Sequence, residues 1–336
     1  MPKSNYEAEC VRGLETFAAE EIKDIGGQLL ENANRPGALR FRYGKSLTRF
    51  KKLRVVSQVF AVHYFEIPRP KALLGSQSYQ RLSKILNDAI QDFRPHKVES
   101  FRLEAAGKKS AIFQRLIQGI ERDLKLYHSL EVGDLFLRVV PAKNRPGWEV
   151  LVRQSVRPLA TRSWRQFNYK GALAAPVAAA MLQIAEVNPN SRVLNLMSGS
   201  GTLLAENDQQ VMLQVGLDLN DEALRGSRLN LGTNINPTSL VLGDAIKLPV
   251  AASSVDVVLS DLPWGQLVGD VTNLKILYPA VLNEAYRVAA AGARFVIVTQ
   301  LKKQMRLAIQ QSTWRLMAEN PLKMDRVNPA IYLLKK

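Results

Sequence analysis

Hydrophobic and polar positions divide this 336-residue chain into three stretches. In residues 1 to about 65, GLETFAAEEIKDIG sets Leu14, Phe17, Ala18, Glu21, Ile22 and Ile25 at helical spacing, and Gly26-Gly27 stops the helix. QLLENAN and GALRFRY read as short strands around the turn former Asn34-Arg35-Pro36-Gly37, KSLTRFKKL as a basic helix and VSQVFAVHYFEI as a strand. In residues 66 to about 155, the amphipathic helices SYQRLSKILNDAIQDF and SAIFQRLIQGIERDL flank the strand SFRLEAAG, and the strands DLFLRVVPA and GWEVLVRQS follow. Both stretches suit small α+β units. From residue 171 the pattern changes. RVLNLM, MLQVGLDL, TSLVLGDA and VDVVLSDL are short runs apolar on both faces, as a parallel sheet covered by helices requires. The helix NDEALRGSRLNLG opens on Asn220 as cap, with acids in its first turn. The closely spaced strands near WRLMAEN and AIYLLKK predict a terminal hairpin.

Charge changes this picture, because it is not shared evenly. The net charge is +16; residues 1–170 carry 31 Lys and Arg against 17 Asp and Glu, whereas 171–336 carry 15 against 13. Such asymmetry is the footprint of a polyanion-binding half joined to a near-neutral one. Arg102, Lys108, Lys109 and Arg145 recur on strands and loops of the second stretch and are candidate RNA contacts. Between the halves, residues 156–172 form a basic linker in which Arg157, Arg162, Arg165 and Lys170 interleave with Trp164, Phe167 and Tyr169. This composition suits stacking on RNA, with Arg162 and Arg165 as contacts, and equally suits a packed interdomain connector.

Several chemistries drop out. Cys10 is the single cysteine, so no intrachain disulfide can form, and His63, His96 and His128 are scattered, so no metal site is expected. No run of 18 apolar residues exists and the N-terminus lacks a hydrophobic signal core, which predicts a cytoplasmic protein without a membrane partner. A monomer is expected.

The candidate chemistry lies at the ends of the C-terminal strands. The first ends in Asn195-Leu196-Met197-Ser198-Gly199-Ser200-Gly201-Thr202, a turn that lets a ligand approach backbone amides. It lacks the third glycine of the dinucleotide fingerprint and the Lys-Ser/Thr of a phosphate loop. Asp218, with Leu219 after it, ends the second strand, where a carboxylate can accept ribose hydroxyls. Asp244, with Ala245 after it, ends the third, where a carboxylate can accept adenine amino hydrogens. Asp261 ends the fourth, in Asp261-Leu262-Pro263-Trp264-Gly265. Three acids in register after a glycine turn point to an adenosine ligand.

GSGT, GLDLN, GDA and DLPW resemble the successive cofactor and catalytic motifs of class I S-adenosylmethionine-dependent methyltransferases, and DLPW resembles the D/N-P-P-aromatic motif of those acting on exocyclic amines. GALAAPVAAAMLQIA resembles the helix that flanks the methionine part of the cofactor. GLETFAAEEIKDIGG resembles the opening of THUMP-containing RNA-modification enzymes, and residues 66–155 match the THUMP layout. The resemblance spans essentially the whole chain and is to RNA guanine-N2 methyltransferases. It implies four parts: a ferredoxin-like domain over 1–65, a THUMP RNA-binding domain over 66–155, the linker 156–172, and a Rossmann-like domain over 173–336. The last is an α/β fold with a seven-stranded, mostly parallel sheet ending in a hairpin.

The resemblance implies S-adenosyl-L-methionine held by Asn195, Met197, Ser198, Gly199, Ser200, Gly201, Thr202, Asp218, Leu219, Asp244, Ala245 and Asp261. Asp261, Leu262, Pro263 and Trp264 would be the catalytic set: Asp261 and the Leu262 carbonyl accept hydrogen bonds from the amine, Pro263 stiffens the turn and Trp264 stacks on a flipped base. The family more often reads DPFCGSGT where this chain has NLMSGSGT. Asn195 therefore replaces a carboxylate that helps hold the ammonium end of the cofactor, and Ser198 replaces a cysteine. Leu262 replaces the first proline, as in the tRNA branch, whose target is a guanosine at the sixth nucleotide of the acceptor stem. The other readings are a 23S rRNA guanine-N2 enzyme, an adenine-N6 enzyme and a non-catalytic RNA-binding relic.

Overall fold

The computed structural model describes residues 4–30, 35–232, 236–264 and 271–336. Residues 31–34, which complete QLLENAN and begin the turn Asn34–Gly37, and Gly265 lie outside the described residues. The chain divides into two compact units, Met1–Cys10 with Ala18–Ala160, and Val11–Phe17 with Thr161–Lys336.

The first unit is built on one sheet. Its strands are β1 (Ser4–Cys10), β2 (Gln28–Leu29), β3 (Ala38–Tyr43), β4 (Val56–Phe65), β5 (Ser100–Ala105), β6 (Tyr127–His128), β7 (Leu135–Pro141) and β8 (Trp148–Arg153), in the order β2-β3-β1-β4-β8-β7-β5-β6. The boundary expected at residue 65 therefore falls at the end of a strand that joins both stretches, since β4 pairs antiparallel with β8 from Phe60↔Arg153 to Phe65↔Trp148. That pairing satisfies the backbone edge each half-sheet would otherwise expose. Helices α2 (Ser76–Asp92) and α3 (Ala111–Leu124) bury Leu82, Leu86, Phe113, Leu116 and Ile120 with sheet residues Phe101, Leu103, Leu137 and Val150. On helix α1 (Glu15–Asp24), Glu21 sits among the apolar positions because its carboxylate accepts the backbone N–H groups of Arg54 and Val55 at 3.0–3.1 Å. The basic helix expected at KSLTRFKKL is the 3-10 helix Leu47–Lys52, and its Phe50 packs with Tyr6, Phe41 and Tyr43.

The second unit has β9 (Arg192–Leu196), β10 (Leu213–Asp218), β11 (Thr238–Leu242), β12 (Val255–Asp261), β13 (Ala289–Thr299), β14 (Arg315–Pro321) and β15 (Ala330–Lys335). They form a seven-stranded sheet in the order β11-β10-β9-β12-β13-β15-β14. The first five are parallel, and β15 runs antiparallel to both β13 and β14, giving the expected terminal hairpin. Its helices are α4 (Ala175–Ala185), α5 (Thr202–Glu206), α6 (Asp221–Leu231), α7 (Val271–Val288) and α8 (Lys302–Gln310). In α4 every residue but Gln183 is buried. Strand order runs outward in both directions from the β9–β12 pair, and this switch point is where doubly wound sheets open a crevice beyond the strand ends.

Among the described residues, no helix is long and apolar enough to cross a membrane, and no group of three His, Cys, Asp or Glu could hold a metal ion.

Candidate active site

Beyond the C-terminal ends of β9, β10, β11 and β12 lies a cavity of about 750 Å3. The first-strand turn closes one side. Met197, Gly199 and Gly201 all take positive φ (51°, 53° and 74°), which Met197 adopts at a steric cost of the kind found at functional sites. Asp218 fastens this turn: one carboxylate oxygen accepts Gly199 N–H at 2.8 Å and the other accepts Asn220 N–H at 2.9 Å. Each oxygen keeps a second lone pair for a ligand hydroxyl. Around Gly199 the space is open, for a Cβ there would meet only Tyr169 Cδ1 at 3.9 Å; at Gly201 it would strike Ser227 Oγ at 2.2 Å. Gly201 accordingly does not line the cavity, unlike the other expected cofactor residues; it turns the chain into α5 and packs on α6.

The lining carries unanswered polar atoms. Asn195 is buried, donates to the Leu196 and Leu259 carbonyls at 3.3 and 3.2 Å, and leaves Oδ1 without a partner. Ser198 Oγ and Ser200 Oγ are likewise buried and unpartnered. Asp244 Oδ1 accepts Ile246 N–H at 3.0 Å, and the apolar side chains of Leu219 and Ile246 stand exposed at the rim. Ala245 is buried, so it can contribute only backbone.

Opposite the turn stands Asp261-Leu262-Pro263-Trp264. Ser260 Oγ donates to Leu196 O at 3.0 Å, and Leu262 N–H donates to Val298 O at 3.1 Å, so both flanking strands hold this segment. Leu262 is buried, packs in the core of this unit and lines the cavity. Burial pushes the Asp261 carboxyl up to about 7; the nearby Trp264 indole opposes this, yet Asp261 Oδ1 and Trp264 Nε1 both lack a partner at hydrogen-bond distance. A carboxyl so poised in a cavity is a candidate proton acceptor.

The basic linker forms the third wall. Arg162 pairs with the buried Glu206 at 2.7 Å, Trp164 Nε1 donates to the same carboxylate at 2.9 Å, and Arg165 donates to Leu173 O and Thr202 Oγ1. Asn230 Oδ1 accepts the N–H groups of Gln166 and Phe167, and Phe167 covers Gly226 so closely that a Cβ there would lie 2.1 Å from its ring. Tyr169, Lys170, Gly171 and Leu173 thereby line the cavity. Of the two readings of this segment, the structure shows the packed connector: residues 161–172 group with the second unit, and the guanidinium groups of Arg162 and Arg165 are spent inside it. Only the interleaving of aromatics with arginines hinted at this wall.

The remaining expected RNA contacts separate likewise. Arg102 lies over the Phe136 ring and donates to Glu131 O at 3.0 Å, which ties it to its own sheet. Lys108, Lys109 and Arg145 form no ion pair among the described residues; Arg145 is held over Tyr64, 3.3 Å from the ring centroid. Lys45, Arg49, Lys51 and Lys52, on and beside the 3-10 helix, are exposed without an ion pair among the described residues. A legible signal existed for them, since no acid occurs between Glu31 and Glu66.

Residues 162–329, half of the chain, match the UPF0020 family, described as RMKL-like, methyltransferase domain. The tRNA (guanine(6)-N2)-methyltransferase of Methanocaldococcus jannaschii is 21% identical over an alignment covering 91% of this chain and 93% of that protein. The crystal structure of TrmN from Thermus thermophilus superposes with a TM-score of 0.78 at 22% identity over 99% of both chains. SMU.472, a putative methyltransferase complexed with SAH, superposes with a TM-score of 0.71 at 13% identity, covering 98% of this chain and 97% of that one. These structural likenesses show the fold. The match of the family profile to half of the chain, over the unit that carries the cavity, places this protein in the UPF0020 family of RMKL-like methyltransferase domains.

Proposed function

We propose that this protein transfers the methyl group of S-adenosylmethionine to the exocyclic N2 of a guanosine in tRNA, at the sixth nucleotide of the acceptor stem. The observation that carries the reading is the Asp261–Trp264 segment, which faces the adenosine-type site across one cavity with its carboxylate oxygen unpartnered. Guanine and tRNA follow from the named activity of the archaeal relative, which aligns along nearly the whole chain.

The residues fit the cofactor. Asp218 has lone pairs for ribose hydroxyls, Leu219 and Ile246 offer apolar faces to adenine, Asp244 accepts from its amino group, and the Asn195 amide oxygen suits an ammonium. When bound, S-adenosylmethionine supplies a methyl group on a cationic sulfonium. The lone pair of a guanine amine is delocalised into the ring, so the protein must align the amine and favour the charge it gains. Asp261 and the Leu262 carbonyl accept its two hydrogens, Trp264 offers a face for the base, and Asp261 then takes the released proton.

The first unit, with its ferredoxin-like and THUMP stretches, would hold the RNA. Lys45, Arg49, Lys51 and Lys52, together with Lys108, Lys109 and Arg145, are among the cations of this unit available for phosphate. Reversing two of them in a Lys51→Glu/Lys52→Glu double variant should weaken tRNA binding and flatten the log Kd against log salt plot by roughly 0.7–0.9 per lost contact. A slope equal to wild type in a filter-binding titration would remove these lysines from the interface.

The decisive test is nucleoside mass spectrometry of unmodified tRNA and rRNA after incubation with protein and labelled cofactor. N2-methylguanosine in tRNA at position 6 is expected. Label confined to rRNA would change the substrate, methyladenosine would change the base, and no label with no cofactor affinity would leave the RNA-binding relic.

A further inference from the structure

We infer that Tyr278 is a positioning residue for this reaction, fixing the catalytic turn through the Pro263 carbonyl so that the Leu262 carbonyl is left for the substrate amine. The inference rests on the function proposed above. Tyr278 lies on α7, is fully buried and does not line the cavity. Its hydroxyl sits 2.7 Å from Pro263 O and 2.7 Å from Thr299 Oγ1, and Thr299 Oγ1 is 3.1 Å from Leu301 N.

The direction of this chain is set by chemistry. A carbonyl only accepts, so the single phenolic hydrogen goes to Pro263 O. Thr299 must then donate to the phenol oxygen, while its own oxygen accepts the Leu301 N–H. The result is a one-way series from Leu301 N–H through Thr299 and Tyr278 to the Pro263 carbonyl, in which each bond polarises the next. Burial raises the phenol to about 12, so it remains a donor throughout the neutral range.

The turn is consequently held at two points, by Leu262 N–H on Val298 O and by Pro263 O on Tyr278. Pro263 has no N–H. The Leu262 carbonyl accepts no hydrogen bond among the described residues, and Leu262 lines the cavity together with Asp261. A phenylalanine would fill the same volume in the core, so packing alone does not call for the hydroxyl.

Tyr278→Phe tests this by deleting one oxygen atom. Expected is a 10- to 100-fold fall in kcat for tRNA methylation, with KM and Kd for S-adenosylmethionine within twofold of wild type. A variant that loses thermal stability yet keeps kcat within twofold, assayed well below its Tm, overturns the inference. Should Tyr278→Phe not fold, Thr299→Val breaks the series one bond earlier. A threefold or larger fall in kcat with unchanged cofactor affinity supports the positioning role, and an unchanged kcat overturns it. Wild type is assayed in parallel. If it forms no N2-methylguanosine, the proposed function falls; if it does and the variants match it, only the role of Tyr278 falls.

Discussion

Asp261→Asn is expected to lower kcat by about 10²–10³-fold while leaving the affinities for cofactor and tRNA within threefold of wild type. The amide keeps the size of the carboxyl and can still accept one hydrogen bond, but it cannot take a proton or stabilise the positive charge growing on the amine. Because the Asp261 carboxyl is raised to about 7, wild-type kcat/KM should decline as pH falls through the neutral range. In the cofactor complex the adjacent sulfonium favours the carboxylate, so the acid limb of kcat should lie at lower pH than that of kcat/KM. The stability effect has the opposite sign. A carboxyl whose pKa is raised on folding penalises the folded state above its ordinary value near 4, increasingly until pH passes about 7. The Asn variant should therefore have a higher Tm than wild type at pH 8, by calorimetry without ligand. A variant with kcat within tenfold of wild type would remove Asp261 from the chemistry.

Asp218→Ala should raise the Kd for S-adenosylmethionine at least 100-fold. Two effects combine here. Hydrogen bonds to a charged group contribute about 1.5–3 kcal/mol each, so losing two ribose contacts is worth roughly 3 kcal/mol or more, over two decades in affinity. In addition, Gly199 and Asn220 lose the acceptor that holds the glycine turn open, since both donate to this carboxylate. Asp218→Asn keeps one carbonyl oxygen for these amides and should fall between. Calorimetric titration of the cofactor, with tRNA affinity as the control, distinguishes this from global unfolding. An unchanged Kd would show that the ribose lies elsewhere.

The catalytic unit was legible because its signals are local. Parallel strands buried on both faces must be short and apolar, the turn leaving the first needs glycine where φ is positive, and acids at strand ends have no packing reason to recur in register. The resemblance places Gly201 among the cofactor residues; its positive φ and the 2.2 Å approach of Ser227 Oγ to a Cβ there give it a conformational and packing reason to be glycine as well. The arginines were harder to read. A cationic side chain has the same sequence signature whether it stands exposed, as Lys51 and Lys52 do, or pairs with a buried carboxylate, as Arg162 does with Glu206 forty-four positions away.

The sequence by itself determined the first four strands of the second unit, its terminal hairpin, the four strand-end motifs and the excess charge of the first 170 residues. Periodicity, glycine conformation and charge are properties of neighbouring residues, so they survive without a fold. Only the tertiary structure decided that residues 4–153 share one sheet, that the linker is a cavity wall, and that a tyrosine on α7 reaches the Pro263 carbonyl. Each depends on partners far apart in the chain, such as Phe60 with Arg153 or Asn230 with Phe167, whose pairing is selected by the burial and hydrogen-bond satisfaction of the whole rather than by any local pattern.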